Sequence, residues 1–325
     1  MGKISRLRHG GIMVNYECNA ACRHCLYACS PDRSGGYISK QGAEEVCRLL
    51  AEGGCRSVHI GGGEPFLDFD GLITMLETAQ KYGIQVEYLE TNGFWAAEPE
   101  KAKKYLNALL RVGADTLCIS LDPFHAEYVP YSLPLELAKL CRSNHFGYFL
   151  WQERFLQPMA NVSSNKPHDR AALERQISPN YIFETAQRYG IGMGGRAVNI
   201  DMEYNKKRPL AQLISHEPCR RLLSTDHFHV DLYGNFIPPG CTGIAIPLGE
   251  LIQGTSEGKY PVFDALLSGG PAELLEFAIS KGFKPEDEYT STCNLCFFIR
   301  KWLSENAECP ELDPEHYVAS FTFYD

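Results

Sequence analysis

Through the first two-thirds of the chain, short apolar runs alternate with longer stretches whose apolar residues recur at helical spacing. The runs at 11–16, 57–60, 85–90, 116–121, 146–150 and 194–200 predict strands, and the stretches at 40–51, 71–82, 99–112, 135–143 and 181–189 predict helices. Strand–helix alternation with short connections implies parallel strands joined by right-handed crossovers. Six such units fit an α/β fold, a partial (β/α)6 barrel. A closed eight-unit barrel needs about 250 residues and more strand signals than the chain offers.

One connection is long. Residues 151–180 include a polar, turn-rich stretch at 157–168, which reads as a lid or substrate-contacting loop or as a mobile surface segment. After Asp201 the pattern changes to short strands and turns, with Gly234-Asn235 and Pro238-Pro239-Gly240 as turn chemistry. The expected organisation is a barrel over 1–205, a smaller domain over 206–310 and a tail over 311–325.

Composition narrows the function. At 44% hydrophobic and 22% charged residues, the 325-residue chain is of ordinary globular make-up. No apolar run approaches the roughly 20 residues of a membrane helix. The basic N-terminus lacks an apolar signal core, so a cytoplasmic location without membrane attachment is expected. A net charge of −9 without a long basic run argues against nucleic acid as a partner.

Thirteen cysteines are many for this length. Without export signals, clustered cysteines point to metal rather than to a disulfide framework. Cys47, Cys55, Cys118 and Cys141 lie within apolar or helical patterns and read as small buried hydrophobes. The others fall into two sets.

Cys18, Cys22 and Cys25, spaced C-x3-C-x2-C, follow the first expected strand. Three thiolates leave one iron of a cubane cluster open to another ligand. The alternative is half of a zinc site completed by Cys29 or a distant cysteine. Gly61-Gly62-Gly63-Glu64-Pro65 follows the second strand, where consecutive glycines let a ligand approach the backbone. The segments Glu90-Thr91-Asn92-Gly93 and Ser120-Leu121-Asp122 end strands three and four. Both put polar groups at the same barrel face, or serve as caps and turns. His125 is a candidate acid–base residue, with an ordinary loop histidine as the alternative. Gly192-Met-Gly-Gly-Arg-Ala197 formally matches a dinucleotide fingerprint but follows a helix and precedes an expected strand, the reverse of the required context.

The second set is Cys219, Cys241, Cys293, Cys296 and Cys309, with a hairpin turn at Asp231–Asn235 between the first two. Four of these would close a cluster without an open iron, or build a four-cysteine zinc site. His216, His227 and His229 lie nearby in sequence and read as structural.

The three-cysteine loop and the Gly-Gly-Glu-Pro turn resemble those of radical S-adenosylmethionine (radical SAM) enzymes. Cys219-x14-Gly234-x6-Cys241 resembles the start of their SPASM and twitch extensions, although the usual Gly-to-Cys gap is four. With too few cysteines for a full SPASM domain, the chain is similar to the shorter twitch type. The resemblance implies a partial barrel with a smaller C-terminal twitch-like cluster domain. It implies a SAM-binding [4Fe–4S] cluster on Cys18, Cys22 and Cys25, and one auxiliary [4Fe–4S] cluster on Cys219, Cys241, Cys293 and Cys296. SAM would be held by Gly62, Gly63, Glu64, Thr91, Asn92, Ser120 and Asp122, with Arg196, on the sixth strand, reaching its carboxylate.

The implied reaction is reductive cleavage of SAM to a 5′-deoxyadenosyl radical, which abstracts a substrate hydrogen under anaerobic conditions. Cys29 and Cys309 are candidate thiols for returning a hydrogen. The expected substrate is a ribosomally made peptide, to be cross-linked or epimerised. The alternatives are a small alcohol to be dehydrogenated and, in another class, a non-catalytic zinc or iron–sulfur module. Expected partners are a flavodoxin or ferredoxin as reductant and a separate leader-peptide-binding protein, because only about ten residues precede the first strand and leave no room for a fused one.

Overall fold

The computed structural model describes residues 2–33 and 35–323. At its centre is β1 (Gly10–Met13), buried at every position, as a strand covered on both faces must be. β2 (Ser57–Gly61), β3 (Gln85–Thr91), β4 (Thr116–Ser120) and β5 (Gly147–Trp151) follow in parallel, each hydrogen-bonded to its predecessor. The strands match the expected runs to within a few residues at each end.

The connecting helices start where side-chain caps allow. Ser39 Oγ accepts from Gly42 N ahead of helix Lys40–Glu52, and Asp68 Oδ1 accepts from Gly71 N ahead of helix Phe69–Lys81. Their apolar faces, with Leu50, Leu72, Met75 and Leu76, are fully withdrawn from water and cover one face of the sheet.

The sixth strand is not where the apolar pattern put it. Residues 194–200 form a left-handed turn at Gly195 (φ +49°) and then helix Ala197–Tyr204. Ala197, Val198, Asn199 and Ile200 are all buried, and a run buried on every side has no periodicity to separate helix from strand. The two-residue β6 (Arg208–Pro209) pairs with β10 (Glu288–Tyr289) in a small separate sheet. The sixth parallel strand is instead β7 (Phe228–Val230), which adds to the other side of β1.

β8 (Asn235–Ile237) and β9 (Ile246–Pro247) extend the same sheet antiparallel, giving the order β5-β4-β3-β2-β1-β7-β8-β9. The β7–β8 hairpin turns at Asp231, whose Oδ1 accepts from Tyr233 N and Asn235 N. The long connection after β5 is not structureless. It holds helices Leu156–Met159 and Arg170–Gln176 and buries Phe155, Met159 and Leu173. Among the described residues, no helix is long and apolar enough to cross a membrane.

Candidate functional site

The loop after β1 is held from several sides. Cys18 N donates to Ser30 O at 3.1 Å, and Cys25 N to Cys22 O at 3.1 Å. The Arg196 guanidinium, fully buried, donates through Nε to Cys22 O at 3.0 Å and through Nη2 to Cys29 O, while its backbone N donates to Cys25 O. Cys18, Cys22, Cys25 and Cys29 all line one cavity of about 390 Å³. Cys29 touches Cys25: its backbone N donates to Cys25 Sγ at 3.4 Å. Its thiol hydrogen bond lowers Cys25 to about 5, and the same contact together with burial raises Cys29.

The glycine turn after β2 packs directly on this loop. A Cβ on Gly63 would lie 1.9 Å from Glu17 O, so only glycine fits there. Gly63 N donates to Asn15 O, and Glu64 N to Glu17 O. The Glu64 carboxylate points into the protein: it accepts from Thr91 Oγ1 at 3.0 Å, Asn92 N at 2.8 Å and Phe66 N at 3.1 Å. Burial raises it to about 7 despite these donors. Asn92 Nδ2 in turn donates to Asn19 Oδ1 at 2.8 Å, so the ends of β2 and β3 and the cysteine loop form one hydrogen-bonded unit.

Of the residues that the sequence marks for a cofactor, Gly62, Gly63, Thr91, Asn92 and Ser120 line the cavity. Glu64, Asp122 and Arg196 lie behind it, where they hold backbone. Arg196 is not on a strand and meets carbonyls of the cysteine loop. Asp122 caps helix Pro123–Ala126 and accepts from His125 Nδ1 at 2.7 Å. His125 lines the cavity and hydrogen-bonds Cys22. Burial lowers its pKa, but the charges of Asp122 and Cys22 outweigh burial and hold it well above the usual histidine range.

The second cysteine set also gathers. Cys293 and Cys296 sit in the first turns of helix Thr292–Asn306, and Cys241 closes a turn onto Pro238 O. Cys296 lies within electrostatic reach of Cys219, Cys241 and Cys293. Buried Arg300 pairs with this group and donates through Nη1 to Thr242 O at 2.8 Å. Cys309 faces Glu311 and Lys281 instead, and is not among the residues lining the cavity.

Among the described residues, neither set holds three sulfurs within 4.8 Å of one another.

Several cavity residues escape a reading of the sequence, His24, Tyr27, Trp151 and Tyr189, and His227 and His229, which read as structural, line the cavity as well. His229 and the neighbouring His59 each interrupt a short apolar strand, and that interruption is the signal the sequence holds. Burial lowers His229 to about 3 and His24 to about 4, so both imidazoles are neutral.

The sequence model of the radical SAM superfamily matches residues 12–150. YydG of Bacillus subtilis, whose name describes a peptide biosynthesis protein, is 29% identical over 121 residues, 37% of this chain and 38% of its own. A GTP 3′,8-cyclase of Psychromonas ingrahamii is 30% identical over 121 residues, 36% of this chain and 33% of its own. The chain thus spans about a third of the length of these curated relatives. Native anSMEcpe with bound AdoMet, a solved structure, is 13% identical at a TM-score of 0.46, covering 97% of this chain and 94% of that one. The matched residues 12–150 run from β1 to β5 and include the three-cysteine loop and the glycine turn, so over this part the chain matches the radical SAM superfamily.

Proposed function

We propose that this chain reductively cleaves S-adenosylmethionine and takes a hydrogen from a ribosomally synthesised peptide, leaving a cross-link or an inverted Cα. The observation that carries the peptide reading is the state of β5. It is the outermost strand of the sheet, and among the described residues nothing pairs with its far edge. Its side chains Phe149 and Trp151 are exposed, and Trp151 also lines the cavity. An extended chain can add to such an edge through its backbone and set alternate side chains into a neighbouring cavity. The printed name of YydG supports the same class of substrate.

The residues present fit the cofactors of the family. Cys18, Cys22 and Cys25 would hold a [4Fe–4S] cluster with one iron open, and the backbone around Gly62 and Gly63 with Thr91, Asn92 and Ser120 would hold SAM. Bound together, these groups supply the 5′-deoxyadenosyl radical that abstracts the substrate hydrogen. The chain itself fixes the geometry: Arg196 sets the loop carbonyls, Glu64 ties two strand ends together, and Trp151 and Tyr189 wall the cavity against water. Cys219, Cys241, Cys293 and Cys296 would hold an auxiliary [4Fe–4S] cluster, able to accept the second electron when a cross-link removes two hydrogens. An epimerisation needs a hydrogen returned instead, and Cys29, which lines the cavity, would return it. A flavodoxin or ferredoxin would supply the reducing electron.

The test is anaerobic co-expression with any short peptide found encoded beside its gene, followed by mass spectrometry in light and heavy water. Loss of two hydrogens from the peptide, or uptake of one deuterium, is expected. An unchanged peptide, together with oxidation of a small alcohol, would replace the peptide reading with the dehydrogenase.

A further inference from the structure

On the inner face of the sheet, opposite Gly11 of β1, three imidazoles meet. His59 comes from β2, His229 from β7, and His227 from the residue before that strand. One ring nitrogen of each lies within 4.8 Å of the other two. His59 Nε2 and His229 Nε2 face each other at 3.0 Å. A Cβ on Gly11 would fall 2.2 Å from His59 Nε2 and 2.6 Å from His229 Cδ2, so the glycine is what leaves room for the two rings. None of the cysteines belongs to this group, and the cofactor assignments above do not use it.

Without a metal, the two neutral imidazoles share a single N–H between the facing nitrogens. His59 Nδ1, at a residue with no solvent exposure, has no partner in either arrangement. The spacing of the facing nitrogens also suits one ion. Two imidazole nitrogens about 2.1 Å from one ion lie roughly 3.0 Å apart when they bind near a right angle.

His229 also has the outer partner that ligating histidines usually have: its Nδ1 meets Tyr27 Oη at 2.8 Å, which fixes the ring and turns Nε2 toward His59. Burial and the neighbouring imidazoles shift all three rings below the usual histidine range, toward the form that binds metal. Glu90 Oε1 is 3.8 Å from His59 Nε2, so a carboxylate stands beside the three imidazoles.

We propose that His59, His227 and His229 bind one divalent transition-metal ion, with Glu90 as its neighbouring carboxylate. Three imidazole donors suit zinc, iron(II), nickel or copper rather than magnesium or calcium. Because His227, His229 and Glu90 line the same cavity as the three cysteines, an open position on this ion would face the substrate space. There it would take an oxygen ligand, such as a carbonyl or carboxylate, as a Lewis acid does. The proposal depends on the imidazole geometry and not on which substrate the enzyme takes.

The experiment uses the fully reconstituted protein, so that the cysteines are already occupied. Zinc chloride is added at micromolar concentration, the protein is desalted, and zinc and iron are counted per chain by mass spectrometry. About one zinc per chain is expected, with iron unchanged at about eight. His227 is exposed, so H227A keeps the packing and should weaken zinc binding at least tenfold; H229Q should do the same or more. Y27F should weaken it by about tenfold through the outer partner. No zinc on the wild-type protein, or equal zinc on wild type, H227A and H229Q, overturns the proposal.

Discussion

The Arg196 guanidinium donates to the carbonyl oxygen of Cys22 at 3.0 Å from a position with no solvent exposure. It also reaches the Cys29 carbonyl, so one side chain from outside the matched domain grips both ends of the 22–29 segment. A buried cation held by backbone carbonyls is a positioning device, and removing it leaves those carbonyls unpaired. R196A should destabilise the chain by about 1–3 kcal/mol, the usual cost of leaving buried acceptors unpaired. R196K should fold better but keep fewer of these contacts, because an ammonium cannot reproduce the fork. Iron per chain after anaerobic reconstitution should fall from about eight towards about four in R196K, as the loop loses its cluster. Full iron in R196K would show that the loop needs no such support.

Cys29 touches Cys25, and three thiolates alone would leave one iron of a cluster open. C29A should retain about eight iron and form 5′-deoxyadenosine at a rate within a few-fold of wild type, whereas C18A, C22A or C25A should lose about half the iron and all cleavage. If C29A loses the first cluster, Cys29 is a ligand and the site is closed.

Glu64 gives a pH dependence whose sign can be worked out. In the folded chain it holds its proton up to about 7, above the usual carboxylate range, because burial outweighs its hydrogen bonds. The folded state therefore binds the proton more tightly than the unfolded state. Its stabilisation is complete below the unfolded value and is lost as pH rises through about 7. Between acid and pH 8 the effect is of order 3 kcal/mol. Urea midpoints of the metal-free protein should fall over this range, and the difference between wild type and E64Q should shrink or invert as pH rises. A difference that does not vary with pH would contradict the account.

Cys241 belongs to the second set. C241A should lose about half the iron while still cleaving SAM, but it should form little or no oxidised peptide product, because the acceptor for the second electron is gone. Equal product in C241A and wild type would remove the auxiliary cluster from the reaction.

The parallel core was legible because β1 to β5 are buried apolar runs separated by helices with clear apolar faces, and both periodicities survive in the sequence. The sixth strand was not legible. Residues 194–200 are buried on all sides, so helix and strand look alike there, and the true sixth strand, Phe228–Val230, is three residues long and inserts out of sequence order beside β1.

In the site, the cysteines and glycines announce themselves by spacing. Arg196 and Glu64 were visible as residues, but which way they face depends on tertiary packing: both turn to backbone rather than to the cavity. His59 goes unmarked and His229 reads as structural because a single histidine in an apolar strand carries no spacing, and only the pairing of β1 with both β2 and β7 brings them together.

The most direct test of the whole account is anaerobic reconstitution followed by dithionite and SAM, with 5′-deoxyadenosine and methionine measured by chromatography. The account predicts about eight iron per chain, formation of 5′-deoxyadenosine, and none in C18A. Two bound metal centres with no cleavage of SAM would contradict it.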